Sequence, residues 1–287
     1  MASRKLFLLH LFLAALWVVV LPSSMRAGEP PPKVLAGSWI VVDADKVAVL
    51  GASNPDQRRQ VASTQKLMTA LLVVEKGGLG GTVTVDASDA GVAPTRVGVK
   101  PGQQYKKIDL LRGMLVKSGN DLAHCLGRTH SGTEAAFAAA MTKRAKELRM
   151  SNTLFRNASG LPDPEQYSTA RDMARLALYI YRNGNVSGMP PSPSSEINRI
   201  ILGITQLPST PFRFSDGRTE TLTSTNRLLG RVPGCVGMKT GSTNASGRCL
   251  ISAVHRNNRN IIVVMLGSNS KVIWDDSQKL LEWGLRQ

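Results

Sequence analysis

Ala62-Ser63-Thr64-Gln65-Lys66-Leu67-Met68-Thr69-Ala70 is the stretch around which this chain is organised. Apolar residues continue to Val74 and the pattern ends at Gly77-Gly78, which predicts a helix over about 63–76 that is apolar nearly all round. Such a helix must be buried on most sides, so we expect it to form the centre of the fold. Ser63 lies at its start, where unpaired backbone N–H groups and the helix dipole favour an oxyanion. Lys66 follows on the same face.

The Ser-x-x-Lys spacing alone is weak evidence for a nucleophile and its base. In an isolated motif of this kind, the serine is more often a helix cap and the lysine an ordinary surface charge. Ser268-Asn269-Ser270-Lys271 fits the same spacing in a stretch that we predict to be a loop. Further motifs are needed before the pair acquires a chemical meaning.

Two such motifs follow in the chain. Ser118-Gly119-Asn120 lies in a predicted loop between helices, and Lys239-Thr240-Gly241 lies on a predicted strand, followed by Ser242-Thr243. Ser-x-Asn also occurs at 224–226 and 242–244, so this motif is not specific by itself. The three motifs are informative when taken together, because each lies in its own structural context and they occur in this order along the chain.

Strand-like segments lie at both ends of the sequence and helical segments lie between them. The predicted strands are 38–43 and 47–52, joined by a tight turn, and 236–241, 248–255 and 261–266. Helical spacing marks 108–115, 120–126, 133–150, 169–182 and 274–285. This arrangement predicts an α+β fold with one five-stranded antiparallel sheet built from both chain ends and flanked by helices.

We expect residues 33–78 and 230–287 to form the sheet-containing part of one catalytic domain. Residues 79–229, which carry Ser118-Gly119-Asn120, would be a mostly helical inserted subdomain. Within that insertion, the proline-rich stretch 184–211 is predicted to be an exposed excursion around one short apolar segment, 197–207.

The amino terminus is typical of an export signal. Arg4 and Lys5 precede an apolar run over 6–21, and we expect cleavage after Ala27. The full sequence of 287 residues, 42% of them hydrophobic, has the composition of a folded protein. We therefore expect an exported protein of the periplasm or another extracytoplasmic site, with an N-terminal membrane anchor if the signal is not cleaved.

The formal net charge of +16 points to anionic partners. The sequence shows no interleaving of basic and aromatic residues and no zinc-ligand spacing, so we do not expect nucleic acid. An exported basic protein meets anionic wall polymers and lipid head groups first. An anionic wall or membrane surface is therefore the candidate partner.

Three cysteines give no disulfide framework. Cys125 lies in an apolar helical stretch and is expected to fill space in the core. Cys235 and Cys249 fall on two segments that we expect to pair, so a bridge between them is conceivable. Their spacing does not resemble a metal site, and we expect neither a metal nor another cofactor.

With its three motifs in this order, the chain resembles the D-alanyl-D-alanine carboxypeptidases, the low-molecular-mass penicillin-binding proteins of the S11 peptidase family. The resemblance runs from about Ala36 to Leu285. It includes the local sequence motifs at 62–69, 118–121, 160–163, 167–174, 225–229 and 237–241. It implies a β-lactamase/transpeptidase-like fold. It also implies a serine D,D-peptidase that removes the terminal D-Ala from peptidoglycan stem peptides through an acyl-enzyme, and that β-lactam antibiotics acylate.

The resemblance assigns a role to each motif residue. Ser63 would be the acylated nucleophile and Lys66 its proton acceptor, which requires a depressed pKa. Ser118 would relay a proton to the leaving amine and Asn120 would bind a substrate amide, while Lys239 is a second candidate for the base. Backbone N–H groups of Ser63 and Ser242 would form the oxyanion hole. Thr240 and Thr243 would face the substrate's terminal carboxylate, and Gly241 would be a further substrate-binding residue.

Two departures from the family pattern affect specificity. Family members often have an arginine after the last sheet strand that helps to hold the substrate carboxylate. The nearest counterpart here is Lys271, which would bind as a point charge rather than a fork. Many relatives also continue into a β-rich domain and an anchor helix. The preference between carboxypeptidase and endopeptidase action therefore stays open.

A serine β-lactamase and a non-catalytic wall-binding protein are the rival interpretations. A class A lactamase needs a glutamate followed three residues later by Leu-Asn, whereas Glu165 is followed by Gln166-Tyr167-Ser168-Thr169. We therefore expect Glu165 to be a surface residue of its loop. A binding protein that had lost catalysis would not need all three motifs, and all three are intact.

Overall fold

The computed structural model describes residues 29–182 and 196–287. Nine strands and eight helices lie in these ranges. They run in chain order as β1 (Ala36–Asp43), β2 (Ala48–Ser53), a 3₁₀ turn (Ala62–Gln65), α1 (Lys66–Lys76), β3 (Thr82–Thr84), α2 (Ala87–Ala90), β4 (Gln104–Lys106), α3 (Lys107–Val116), α4 (Asn120–Ser131), α5 (Glu134–Glu147), α6 (Ala170–Tyr181), α7 (Glu196–Thr205), β5 (Ser209–Arg213), β6 (Thr219–Thr223), β7 (Cys235–Thr243), β8 (Gly247–Arg256), β9 (Arg259–Ser268) and α8 (Ile273–Arg286).

One antiparallel sheet of five strands has the order β2-β1-β9-β8-β7. β9 lies at its centre, and because successive side chains on a strand point to opposite faces, it contributes to two apolar clusters. Ile262 and Val264 pack towards α1 and the other helices of the larger cluster. Ile261 and Val263 pack towards α8, with Leu280 and Trp283. The predicted α+β fold and its five-stranded sheet from both chain ends are confirmed.

α1 is the centre of the larger cluster, as its composition predicts. Leu67, Met68, Ala70 and Leu71 are fully buried. The helix begins later than the apolar pattern suggests, because the first turn is a tighter 3₁₀ turn that contains Ser63. The serine therefore stands just ahead of α1, and Lys66 is the first residue of the helix.

The prediction for 184–211 is wrong over the part that the structure describes. α7 spaces Ile197, Ile201 and Ile204 four and three residues apart, and all three are buried in the core. β5 then pairs with β6 in a hairpin that was not predicted from the sequence. Residues 183–195, which hold the densest prolines of the stretch, lie outside the described ranges, as does the expected signal over 1–27.

The conceivable bridge between Cys235 and Cys249 is not formed, and all three cysteines are free thiols. β7 and β8 do pair, but Cys235 lies opposite Val254 and Cys249 lies opposite Gly241. The two sulfurs therefore belong to different rungs of the ladder. Cys125 is buried in the core, as expected.

The division into a sheet part (33–78 and 230–287) and a helical insertion (79–229) stays a prediction. Buried side chains of both parts belong to one continuous apolar cluster. Within the described ranges, no helix is both long and apolar enough to cross a membrane.

Candidate active site

Ser63 and Lys66 lie side by side at the start of α1. Lys66 Nζ lies 2.7 Å from Ser63 Oγ, and the same nitrogen contacts Asn120 Oδ1 at 2.7 Å and the Ser159 carbonyl oxygen at 2.6 Å. The Lys66 side chain is fully buried although it carries an ionisable amine. Burial of a lysine without a carboxylate partner in hydrogen-bonding contact is expensive, and such groups mark functional sites.

The surroundings of Lys66 favour its neutral form. Burial in the protein interior, and secondly the positive charge of Lys239, hold the pKa of Lys66 well below its ordinary value, while the charge of Asp121 opposes this shift. Burial also lowers the pKa of Lys239 to about 7. The site therefore holds two desolvated amines, one of which is suited to accept a proton from Ser63 Oγ at neutral pH.

Lys239 reaches the cleft from β7 and meets Ser118. Its Nζ donates to Ser118 Oγ and to the Thr240 carbonyl oxygen, both at 2.9 Å. Ser118 has φ of 69°, in the left-handed region that non-glycine residues seldom adopt. This backbone conformation turns a buried serine towards the cleft, and strained positions of this kind concentrate at functional sites.

Hydrogen bonds connect the first residues of α4 to the loop formed by residues 93–98. Asn120 donates from Nδ2 to the Ala93 carbonyl oxygen at 3.0 Å and from its backbone N–H to the Thr95 carbonyl oxygen at 2.7 Å. The buried Asp121 carboxylate accepts from the N–H groups of Val97 and Gly98. These bonds fix the side chain of Asn120 in contact with Lys66 and hold Thr95 at the cleft.

Two glycines pack against the turn that holds Ser63. Gly160, with φ of 85°, lies so close that a Cβ there would overlap the Ala62 carbonyl oxygen. A Cβ at Gly241 would lie 2.8 Å from the backbone nitrogen of Ser63. The turn is therefore held between the loop that supplies the Ser159 carbonyl and the strand that supplies Lys239.

A cleft of about 160 Å³ opens in front of Ser63. Five of the residues predicted from sequence line it, namely Ser63, Ser118, Thr240, Gly241 and Ser242. Lys66, Asn120 and Lys239 lie buried behind this surface. The cleft lining does not include Thr243 or Lys271. The Thr243 hydroxyl bonds with Ser246 Oγ at 2.8 Å in the β7–β8 turn, and the Lys271 N–H donates to Asn269 Oδ1 at 2.9 Å.

Several residues of this site are not predicted by the sequence motifs. Ser159 contributes through its backbone carbonyl, which no motif reveals. Thr225 brings its hydroxyl within 2.6 Å of the Thr240 hydroxyl. The cleft lining also includes residues from separate elements, Thr95, Arg248, Cys249, Ile273 and Trp274. The register of β7 with β8, the position of α8 and the hydrogen bonds between the 93–98 loop and α4 bring these residues together.

Comparison with known proteins gives one family. The profile of the D-alanyl-D-alanine carboxypeptidases, peptidase family S11, matches residues 24–270. The chain is 32% identical to D-alanyl-D-alanine carboxypeptidase DacB2 of Mycobacterium tuberculosis over 265 residues, which cover 90% of this chain and 85% of the relative.

Solved structures agree with this match. A D-alanyl-D-alanine carboxypeptidase of Mycobacterium tuberculosis superposes with a TM-score of 0.81 and 30% identity, over 91% of this chain and 95% of that one. Penicillin-binding protein D2 of Listeria monocytogenes, solved in an ampicillin-bound form, gives a TM-score of 0.74 and 28% identity, over 90% of this chain and 100% of that one.

Proposed function

Because this chain belongs to the S11 family of D-alanyl-D-alanine carboxypeptidases and is a serine-type D,D-peptidase, we propose that it removes the terminal D-Ala from peptidoglycan stem peptides. β-Lactam antibiotics would acylate the same serine. The observation that carries the proposal is the 2.7 Å contact between Ser63 Oγ and the buried Lys66 Nζ, whose pKa is depressed by burial and by Lys239.

In the acylation step, Ser63 Oγ attacks the carbonyl carbon of the D-Ala-D-Ala peptide bond and neutral Lys66 accepts the hydroxyl proton. The C–N bond then breaks, and the leaving amine takes up a proton through Ser118, which contacts Lys239 Nζ at 2.9 Å. Free D-Ala departs. Water hydrolyses the ester on Ser63 and releases the shortened peptide. Lys66 is our choice of base because its amine contacts Ser63 Oγ directly, whereas the Lys239 amine contacts Ser118.

The backbone N–H groups of Ser63 and Ser242 would stabilise the oxyanion. Gly241 supports this assignment, since it brings β7 close to the Ser63 nitrogen and leaves no room for a side chain between them. Asn120, fixed by Ala93 and Lys66, would bind the substrate amide. Thr240, whose hydroxyl contacts Thr225, would face the terminal carboxylate.

Rapid hydrolysis of the acyl-enzyme, as in a β-lactamase, would need a base poised near Ser63. Glu165 does not have this position. Its side chain is 65% exposed and forms an ion pair with Arg156 at 3.2 Å. We therefore propose that penicillin is retained on the enzyme for longer than a lactamase would retain it.

We also propose that the protein works outside the cytoplasm, on or near an anionic surface. The support is the export pattern over 1–27, the net charge of +16 and the family of cell-wall enzymes to which the chain belongs. Nucleic acid is not part of this proposal.

Penicillin treatment followed by intact-mass measurement tests the nucleophile. We expect the wild type to gain the mass of one penicillin and Ser63→Ala to gain none, because Ser63 is the serine whose hydroxyl contacts Lys66, the proposed base. Ser270→Ala, in the second Ser-x-x-Lys sequence, is the matched control and should label like the wild type. A wild type that stays unlabelled would refute the assignment.

The substrate preference needs a separate assay. Incubation with a D-Ala-D-Ala pentapeptide and with cross-linked muropeptides, followed by chromatography of the products, separates carboxypeptidase from endopeptidase action. We expect release of D-Ala from the pentapeptide. Cleavage of cross-links alone would contradict the carboxypeptidase assignment.

A further inference from the structure

A second polar cluster lies behind the cleft, along the helix that begins with Asn120. His124 and Arg128 follow Asn120 at intervals of four residues, so the three side chains lie along one side of α4. His124 and Arg128 both meet Asp89 of α2, whose side chain is fully buried. We call Asp89, His124 and Arg128 the Asp89 cluster. These residues belong to none of the three sequence motifs, so the acylation steps give them no role.

The Asp89 carboxylate accepts hydrogen bonds from both residues of α4. His124 Nδ1 lies 2.6 Å from Asp89 Oδ1, and Arg128 Nη2 lies 2.7 Å from Asp89 Oδ2. Burial opposes ionisation of Asp89, but the hydrogen bonds from His124 and Arg128 hold the pKa of its carboxyl below the ordinary value. An ionised carboxylate is an acceptor only, which makes His124 Nδ1 the donor. Glu134 of α5 faces the other ring nitrogen of His124 at 3.5 Å.

The position of Asp89 in the chain connects this cluster with the active site. α2 leads into the loop over 93–98, and two carbonyl oxygens of that loop accept hydrogen bonds from Asn120. Two N–H groups of the same loop donate to the Asp121 carboxylate. The segment over 89–98 is therefore attached to α4 at both ends, through the Asp89 cluster at one end and through Asn120 and Asp121 at the other.

The orientation of the Asn120 amide depends on this segment. Asn120 Oδ1 contacts Lys66 Nζ at 2.7 Å, while Asn120 Nδ2 donates to the Ala93 carbonyl oxygen at 3.0 Å. If the end of the segment at Asp89 were released, the Ala93 carbonyl could move and the amide would follow it. Displacement of a positioning group by about 1 Å can lower a rate by about 100-fold. Charge-assisted bonds to a buried carboxylate suit this holding role, because they are strong and weakly screened.

We propose that His124 is a positioning residue of the peptidase, which holds the 93–98 loop through Asp89 and so fixes the Asn120 amide in the cleft. This proposal rests on the function proposed above and assigns a role to the surroundings of Asn120. His124 acts through Asn120 and not by contact with substrate, since it lies one turn further along α4 and does not belong to the cleft lining.

The first test measures the second-order rate constant for acylation of Ser63 by penicillin in two variants. His124→Leu removes the donor to Asp89, and we expect acylation to be about 10- to 100-fold slower than in the wild type. His124→Asn places an amide donor near the position of Nδ1. We expect this conservative variant to acylate within about threefold of the wild-type rate.

A double-mutant cycle with Asn120→Ala separates positioning from a general effect on the fold. In the Asn120→Ala background, the amide that His124 positions is already absent. His124→Leu should therefore lower the acylation rate there by less than about threefold, although it lowers the rate of the wild type much more. A loss of the same size in both backgrounds would show that His124 does not act through Asn120.

Arg128→Met and Arg259→Met form a matched pair at partly exposed positions. The side chains of Arg128 and Arg259 are each 26% exposed, and they pair with the buried aspartates Asp89 and Asp43, respectively. Each guanidinium also donates to a backbone carbonyl oxygen. Asp43 ends β1 and does not line the cleft. We expect Arg128→Met to acylate about three- to tenfold more slowly and Arg259→Met to acylate normally, at similar shifts of the urea midpoint.

Three results would overturn the proposal. These are a folded His124→Leu variant that acylates at the wild-type rate, additive losses in the cycle with Asn120→Ala, and equal acylation rates in Arg128→Met and Arg259→Met. If His124→Leu does not fold, the two arginine variants decide the question. Penicillin labelling of the wild type keeps failure of the proposed function apart, because an unlabelled wild type refutes the peptidase assignment and a labelled one with unaffected variants refutes the positioning role alone.

Discussion

The two sides of the cleft differ in how completely their polar groups are engaged. The buried floor consists of Lys66, Ser118, Asn120 and Lys239, and each of these side chains is buried and hydrogen-bonded to another part of the protein. The open rim consists of Ser242, Arg248 and Trp274, and its arginine has no carboxylate partner among the described residues.

This contrast suggests that the buried floor serves the chemistry and the open rim serves substrate recognition. Groups that move protons must be fixed and desolvated before the substrate arrives, since reorganisation during the reaction would raise the barrier. Groups that recognise the end of the substrate can stay in water until the ligand completes their bonds. Changes to the floor should therefore have large effects on chemistry, and changes to the rim should affect substrate choice.

Replacement of the proposed base should give the largest effect. We expect Lys66→Met to lower the rate of Ser63 acylation by roughly 10³-fold, within the range that general-base catalysis supplies. Stopped-flow or mass-resolved kinetics with penicillin measures this rate. Lys76→Met, at the exposed end of the same helix, is the control and should acylate normally. A loss of less than about tenfold in Lys66→Met would mean that another group accepts the proton.

The second-largest effect is expected from substitution of Gly160, a glycine that packs against the turn holding Ser63. Gly160 and Gly132 have nearly the same φ, 85° and 86°, but a Cβ at Gly160 overlaps the Ala62 carbonyl oxygen whereas one at Gly132 meets open space. Gly132→Ala should cost about 1–3 kcal/mol of unfolding free energy from the backbone conformation alone, since φ of 86° with ψ of −40° is a conformation that alanine rarely adopts. Gly160→Ala should cost about 1–3 kcal/mol more, because the turn holding Ser63 must shift.

Urea unfolding of both variants separates the two contributions, and penicillin acylation reports whether Ser63 has moved. We expect slow acylation in Gly160→Ala and normal acylation in Gly132→Ala. Equal losses of stability in the two variants would show that the contact between Gly160 and Ala62 does not constrain the turn.

The residues of the buried floor could be predicted from the sequence more completely than those of the open rim, because they lie in short local motifs. Ser63 and Lys66 are separated by less than one helical turn, and the apolar pattern around them fixes their burial. The pattern at both chain ends also sufficed for the five-stranded sheet, since alternation and turn residues are local signals.

The rim depends on relationships that local patterns do not encode. Arg248 faces Ser242 only because β7 and β8 pair in one particular register, and a shift by one residue would turn its side chain to the opposite face. α7 was mistaken for part of an exposed excursion because prolines on both sides hid the spacing of Ile197, Ile201 and Ile204. The role of the Ser159 carbonyl had no side-chain signal at all.

The pH profile distinguishes the two lysines of the floor. Lys66 must be neutral to accept a proton, so kcat/KM should fall at acid pH as this amine becomes protonated. Lys239, with a pKa of about 7, loses its charge as the pH rises through that value. We expect kcat/KM to decline above about pH 7, by up to about tenfold per pH unit, because the neutral amine no longer attracts an anionic substrate.

Lys239→Arg tests this explanation, since a guanidinium stays protonated throughout. Its alkaline decline should move to higher pH while the acid limb stays in place. If the acid limb moved instead, Lys239 would be the group that accepts the proton, and the assignment of the two lysines would have to be exchanged.

The smallest effect should come from Ser242→Ala on the rim. The proposed oxyanion donor at this position is the backbone N–H, which alanine retains, and the side chain is exposed. We expect the unfolding free energy to change by about 0.5 kcal/mol or less and the rate of acylation to stay close to that of the wild type. Kinetics with a neutral ester and with penicillin measures this directly. A large loss with both reagents would assign the Ser242 hydroxyl to the chemistry and remove the distinction between floor and rim, whereas a loss with the anionic reagent alone would assign that hydroxyl to carboxylate binding.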